Sequence, residues 1–251
     1  MMSVFKFPTS KTKGLKVLSL SLYSLFPIIF VGMSADLASE VGQGFGRFIE
    51  VMTNSAGSKG FLLSLAVLCS LTATLKIPNN RIIGLGLQLA MILALSFMVK
   101  TTLKTVTESP RPYVEYLSEQ RVINAPEDFY QLNMIERNSA IDSTQGYVSE
   151  WRTKHWQGEK DYSFPSGHTI FVAICVAFFG GLFLERQQYW LVTGLLVWAG
   201  IVAYSRLWLG MHRPMDLVGS LALGAMIYLL VPTFQGGKVE QWLNRWLPAT
   251  K

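Results

Sequence analysis

The chain has 251 residues, half of them hydrophobic and only 15% charged, with a mean hydropathy of +0.32 and a formal net charge of +6. Such a composition is too apolar for an ordinary soluble domain and the length too short for several, so one integral-membrane domain over 1–251 is expected. The basic excess gathers at the chain ends and in short connections, where it suits membrane orientation and contact with membrane lipids and does not point to a nucleic-acid partner.

Lys6, Lys11, Lys13 and Lys16 lead into an apolar run over 15–35. A cleaved leader would begin the same way, but this run exceeds the about 7–15 residues of a signal core, which favours a retained first helix. Apolar runs over 61–77 and 82–103 follow and then, after a polar stretch, runs over 168–184, 189–209 and 215–235. Each comes near the roughly 17–25 residues that a spanning helix needs, the second and fourth only just. A buried soluble helix competes as the account of 61–77 alone, but six runs in succession argue against it. The fold class expected is an all-α integral membrane protein with six transmembrane helices. Cys69 and Cys175 fall inside these runs with no metal-ligand spacing around them and read as small core residues.

Residues 109–164 form the one soluble-looking region, with Pro126 and Gly146 as breakers and aromatic residues at Tyr113, Tyr116, Phe129, Tyr130, Trp151, Trp156 and Tyr162. A structureless connection of that length is unusual, so short helices forming an outer cap are expected, their rings at headgroup depth. A merely solvated loop is the plain alternative. If the amino end is inside, six spans put Lys76, Arg81, Arg186, Lys238, Arg245 and Lys251 on the same side as the first four lysines, while the short loop after the first span holds only Arg47 and Lys59. That asymmetry fits both ends in the cytoplasm. The blocks that carry chemistry then face outward.

Those blocks are Lys104 with Arg111-Pro112, then Pro165-Ser166-Gly167-His168, then Ser205-Arg206 with His212 and Asp216 behind them. Charges at the edges of apolar runs are expensive and draw attention to function. Lys104 alone is equally well a lysine snorkelling at a helix end. Arg111 is aimed by prolines on both sides, and its planar fork matches phosphate oxygens. Pro165 and Ser166 open a helix whose first N–H groups can face an anion; an ordinary cap would look the same without His168. His212 and Asp216 are four apart with Pro214 between them, so the carboxylate can reach the imidazole, fix its tautomer and leave the other nitrogen free to attack. A structural His-Asp pair leaves the three cations unexplained. His155 has no comparable setting, and no catalytic role is expected of it. Too few carboxylates and histidines cluster to hold ions, so no metal and no other cofactor is expected; Lys104, Arg111 and Arg206 can offset a phosphomonoester's charge of about −1.5 to −2.

In order and internal spacing, these blocks resemble the three signature motifs of the type 2 phosphatidic acid phosphatase superfamily, over about 113 residues and with no signature position departing. Within it, the layout together with Asp128-Phe129-Tyr130, Glu136-Arg137 and His155-Trp156 ahead of Phe164-Pro165 is similar to the bacterial phosphatidylglycerophosphatase B branch. The resemblance implies that His212 attacks phosphorus and forms a phosphohistidine, that Asp216 orients it, and that His168 protonates the leaving alkoxide. It implies a phosphate cradle of Lys104, Arg111, Ser166, Gly167 and Arg206. The residues alone leave open which histidine attacks; proximity to Asp216 favours His212. The expected substrate is a lipid phosphate at the outer face of a bacterial inner membrane, phosphatidylglycerophosphate first. Undecaprenyl diphosphate, phosphatidate or diacylglycerol pyrophosphate, phosphoryl transfer to another lipid, and anion transport without hydrolysis remain as alternatives.

Overall fold

The computed structural model describes residues 9–234, all of whose regular structure is helical. Lys6, Lys238, Arg245 and Lys251, and the last residue of the run expected over 215–235, lie outside the described residues. Helix α1 (Thr9–Met33) is followed by α2 (Gln43–Ala56), α3 (Phe61–Ala73) and α4 (Asn79–Thr107), then four short helices, α5 (Pro112–Glu119), α6 (Pro126–Gln131), α7 (Met134–Asp142) and α8 (Glu150–Gly158). Helices α9 (Gly167–Glu185), α10 (Tyr189–Trp208) and α11 (Pro214–Leu230) complete the order.

The most apolar helices arrange themselves around α9. Residues 169–183 of α9 are buried against α1, α4, α10 and α11, whereas only 28% of the apolar window of α1, or of α4, is buried. The outer surface exposes Phe26, Phe30, Leu63, Phe97, Met98 and Trp190. A helix apolar all round at the centre and apolar outward faces on its neighbours are the arrangement that lipid, rather than water, favours.

Among the described residues four helices, α1, α4, α9 and α10, are long and apolar enough to cross a membrane, and α2 with α3 makes a fifth candidate only as a pair bent by 72°. Helix α11 has 17 residues and is shorter than that standard. The run over 61–77 therefore does not form one straight span. Pro78 disfavours helix at Ile77, and α3 ends at Ala73 after 13 residues. Helix α2 escaped the hydropathy reading because Arg47, Glu50 and Asn54 dilute it. Of the two cysteines, Cys175 is buried in the core, whereas Cys69 is exposed on α3.

The 109–164 region does hold short helices, but its rings point inward. Tyr113, Phe129 and Trp156 are fully buried in a second core with Trp208, Leu209 and Met211. Tyr113 stacks on Trp156 at 5.0 Å, and the Trp156 indole donates to the Leu209 carbonyl at 2.7 Å. This core clamps the turn that follows α10, which is the turn that carries His212.

Candidate active site

Four helix ends, those of α4, α9, α10 and α11, and two connections meet at one end of the bundle. Helix α10 stops at a turn through Gly210, whose φ of +66° suits a residue without Cβ. The Met211 N–H returns to the Arg206 carbonyl at 3.1 Å, and the Gly210 carbonyl accepts from the Tyr113 N–H at 2.9 Å. The turn is thus fixed from both sides, with Arg206 in its last helical residues and His212 just beyond. Pro214 opens α11, and Asp216 in its first turn accepts from the Arg213 N–H at 2.9 Å.

His212 is almost fully buried. Its Nδ1 lies 3.5 Å from Asp216 Oδ2 and 3.3 Å from the Ser163 hydroxyl, which itself donates to that carboxylate oxygen at 2.5 Å. Two oxygens thus hold the Nδ1 side, which places the proton there and leaves the Nε2 lone pair directed away from Asp216. Nε2 faces Arg111 Nη1 at 3.4 Å. Burial, with Arg111, Arg206 and Lys104 nearby, pushes the imidazole well below the usual histidine range. It is neutral at physiological pH, as a nitrogen nucleophile must be.

Arg111 lies against this nitrogen, and Arg206 and Lys104 are near enough to act on its charge. Arg111 is buried, and its guanidinium donates to the Asp161 carbonyl at 2.8 Å and the Met211 carbonyl at 3.0 Å. Arg206, fully buried, donates to the Thr53 hydroxyl of α2 at 2.8 Å and to Glu159 Oε2 at 2.8 Å. Lys104, in the last turn of α4, donates to the Tyr162 carbonyl and pairs with Asp161 at 3.0 Å.

His168 stands in the first turn of α9, its Nε2 3.9 Å from Glu159 Oε1. A Cβ on Gly57 would lie 2.6 Å from that Nε2. Gly57 has an ordinary extended backbone, φ −94° and ψ −178°, so what its missing side chain supplies is room beside the imidazole. Ser166 caps α9, its oxygen accepting from the Thr169 N–H at 3.3 Å, and its own N–H donates to Ser220 at 2.8 Å. The N–H groups of Gly167 and His168 open the helix with no carbonyl of their own helix to bond.

All eight residues singled out by their spacing, Lys104, Arg111, Ser166, Gly167, His168, Arg206, His212 and Asp216, are therefore gathered at this one end. The Ser166 side chain serves as a cap, and Gly167 lies under the stem of Lys100. His155 is buried with Nε2 unpartnered among the described residues, and burial and Arg206 push its pKa down to about 4.

Two carboxylates, Glu159 and Asp161, and two hydroxyls, Ser163 and Thr53, were not foreseen. Glu159 bridges Arg206 and Arg111, the latter at 3.3 Å; Asp161 bridges Arg111 at 2.5 Å and Lys104. The site is thus not simply a cationic pocket, for Glu159, Asp161 and Asp216 offset its three cations. Burial resists ionisation of both bridging carboxyls, but the cations prevail and hold each below its usual range, Glu159 far below. No spacing rule marks these residues. They precede Phe164-Pro165 in a segment of mixed charge, and only the folded chain puts that segment over the cations.

A family model described as the PAP2 superfamily matches residues 85–240, which take in every motif residue above. Over 229 residues the chain is 30% identical to the phosphatidylglycerophosphatase B of Haemophilus influenzae, covering 86% of this chain and 94% of that one. It is 38% identical over 123 residues to the phosphatidylglycerophosphatase B of Escherichia coli K12, about half of each chain at 48%. A shorter match, 38% over 71 residues, 28% of this chain and 34% of the other, is to the undecaprenyl-diphosphatase BcrC of Bacillus subtilis.

Proposed function

Because the chain belongs to the PAP2 superfamily, we propose that it is a lipid phosphatase of a single membrane-embedded domain that hydrolyses phosphatidylglycerophosphate to phosphatidylglycerol through a phosphohistidine on His212. The observation that carries this reading is the setting of that imidazole. Asp216 and Ser163 hold Nδ1, and Nε2 is turned toward Arg111 beside Arg206 and Lys104. Nε2 attacks phosphorus, the bond from phosphorus to the lipid oxygen breaks, and His168 supplies the proton to that oxygen. A water molecule then attacks the phosphohistidine, His168 takes its proton, and inorganic phosphate leaves. Lys104, Arg111 and Arg206 hold the phosphoryl oxygens as charge spreads over them, with the open N–H groups of α9 as further donors.

The enzyme is proposed to sit in an inner membrane with six crossings, the bent α2–α3 pair supplying the second and α11 the sixth. The site would face outward under the 109–164 cap, with both chain ends inside. Lys76, Arg81 and Arg186 lie at the α9 end remote from His212, which supports that orientation. The relatives named undecaprenyl-diphosphatase favour a second reading in which a lipid diphosphate is the substrate.

The test is phosphate release by the purified chain from phosphatidylglycerophosphate, phosphatidate and undecaprenyl diphosphate, with chelator present, together with acid-labile labelling of the protein. Release from phosphatidylglycerophosphate with the highest kcat/KM and a labelled intermediate are expected. A higher value on the diphosphate would transfer the assignment, and no labelled intermediate with any substrate would end the mechanism.

A further inference from the structure

Asp161 has a position that the chemistry above does not need. Its carboxylate lies on Arg111 at 2.5 Å and Lys104 at 3.0 Å, yet its side chain is 57% exposed. The two cations are also held without it. Arg111 donates to the backbone carbonyls of Asp161 and Met211, and Lys104 to the carbonyl of Tyr162. The carboxylate therefore does not shape the cradle; it occupies it. An incoming phosphoryl group beside His212 Nε2 needs the same Arg111 and Lys104 hydrogens, so ligand and Asp161 compete.

That competition depends on ligand charge. A tethered carboxylate carries one negative charge and needs no diffusion to bind. A phosphodiester headgroup also carries one charge, shares it over two oxygens, and gains little by displacing the carboxylate. A phosphomonoester approaches two charges and presents three oxygens, so it can replace the carboxylate on both cations and gain further attraction. For an enzyme immersed in phosphodiester lipid this difference decides what occupies the site.

We propose that Asp161 is a specificity-determining residue that excludes phosphodiester headgroups from Lys104 and Arg111 and yields to phosphomonoesters. The inference rests on the lipid phosphatase reading for its class of ligand. Glu159 covers the neighbouring Arg206 in the same manner, but it also approaches His168, and its replacement would disturb more than competition.

The test uses the purified full chain in mixed micelles, with a short-chain lipid phosphomonoester as substrate and short-chain phosphatidylglycerol, a phosphodiester, as competitor. Asp161→Asn keeps the size and the backbone carbonyl but removes the charge. The diester's inhibition constant is expected to fall about tenfold or more, on the scale of one charge-assisted hydrogen bond, with a smaller fall in KM for the monoester. Asp161→Glu should retain the wild-type ratio. If the inhibition constant and KM fall by one factor, or neither moves, the proposal is overturned. Asp161→Ser serves as a second variant where the asparagine one does not fold. Thermal-shift titration of wild type and variants with inorganic phosphate and with the same diester reads binding without turnover. A failure of the inference is thereby separated from a failure of the phosphatase reading, which the release panel tests.

Discussion

The two ends of the helix bundle use the same materials for opposite purposes. At one end Arg81 and Glu185 form two parallel hydrogen bonds of 2.8 Å between α4 and α9, and Lys11 of α1 donates to the carbonyls of Leu229 and Val231 at 2.7 and 2.6 Å. Both of these cations meet partners supplied by the packed helices or their ends. At the other end Lys104, Arg111 and Arg206 meet carboxylates from a connecting segment, Glu159 to Asp161, which belongs to none of the spanning helices. Where the partner is part of the bundle, the pair is structure. Where it is carried by a connection, an outside anion can replace it, and a histidine with a directed lone pair stands beside it.

The largest effect expected from this contrast is at His212. His212→Ala removes the nitrogen proposed to take the phosphoryl group, and kcat/KM in a detergent-solubilised assay should fall by about a thousandfold or more. Retention of even a tenth of wild-type turnover would mean that the attacking group lies elsewhere.

A smaller effect is expected at Ser163. At 3.5 Å the Asp216 carboxylate alone is a long partner for His212 Nδ1, and the Ser163 hydroxyl lies between them. Ser163→Ala should lower kcat about tenfold with KM held, because it loosens the orientation of the proposed nucleophile and removes no direct partner of Lys104, Arg111 or Arg206. A rise in KM with kcat unchanged would instead make Ser163 part of substrate binding.

The electrostatics of this end sharpen the contrast through pH. Burial and the three cations hold His212 well below the usual histidine range, so its reactive neutral form persists as pH falls through about 6.5. Once the substrate's own ionisation near pH 6 is divided out, kcat/KM is expected to show no acid limb near 6.5. The sign for stability is the same for three groups. Glu159 and Asp161 have lowered pKa values, so their ion pairs stabilise the fold above the unfolded carboxylate range and that contribution is lost on acidification. His212, also lowered, takes up its proton more readily on unfolding, so it too weakens the fold as pH drops.

What the sequence disclosed and what it withheld divide along the same line. The eight motif residues are legible because each block is short, its spacing set by one helix end: Pro165 to His168 at the start of α9, Arg206 to Asp216 around a single turn. The apolar runs of α1, α4, α9 and α10 are legible for the same local reason. Ser163, Glu159, Asp161 and Thr53 are not, because their partners lie 47 to 153 residues away and nothing local distinguishes a serine or an acid that folds onto a site. The inward-facing Tyr113, Phe129 and Trp156 escaped for a related reason. Aromatic residues in a polar stretch suit a membrane interface and a small core equally well, and only the turn at Gly210 decides between them.

The smallest effect belongs to the end where ion pairing is structural. Arg81 and Glu185 are each about one-fifth exposed, so solvent screens much of their attraction, and a pair of this kind contributes about 1 kcal/mol or less. Arg81→Ala should lower the melting temperature slightly and leave kcat/KM within twofold of wild type. The pair sits at the far end of α9 from His168, and the intervening helix, buried on all sides by α1, α4, α10 and α11, holds its other end in place without help. A loss of activity well beyond twofold with unchanged melting would show that the two ends communicate along α9, and the division between a structural end and a reactive end would have to be abandoned.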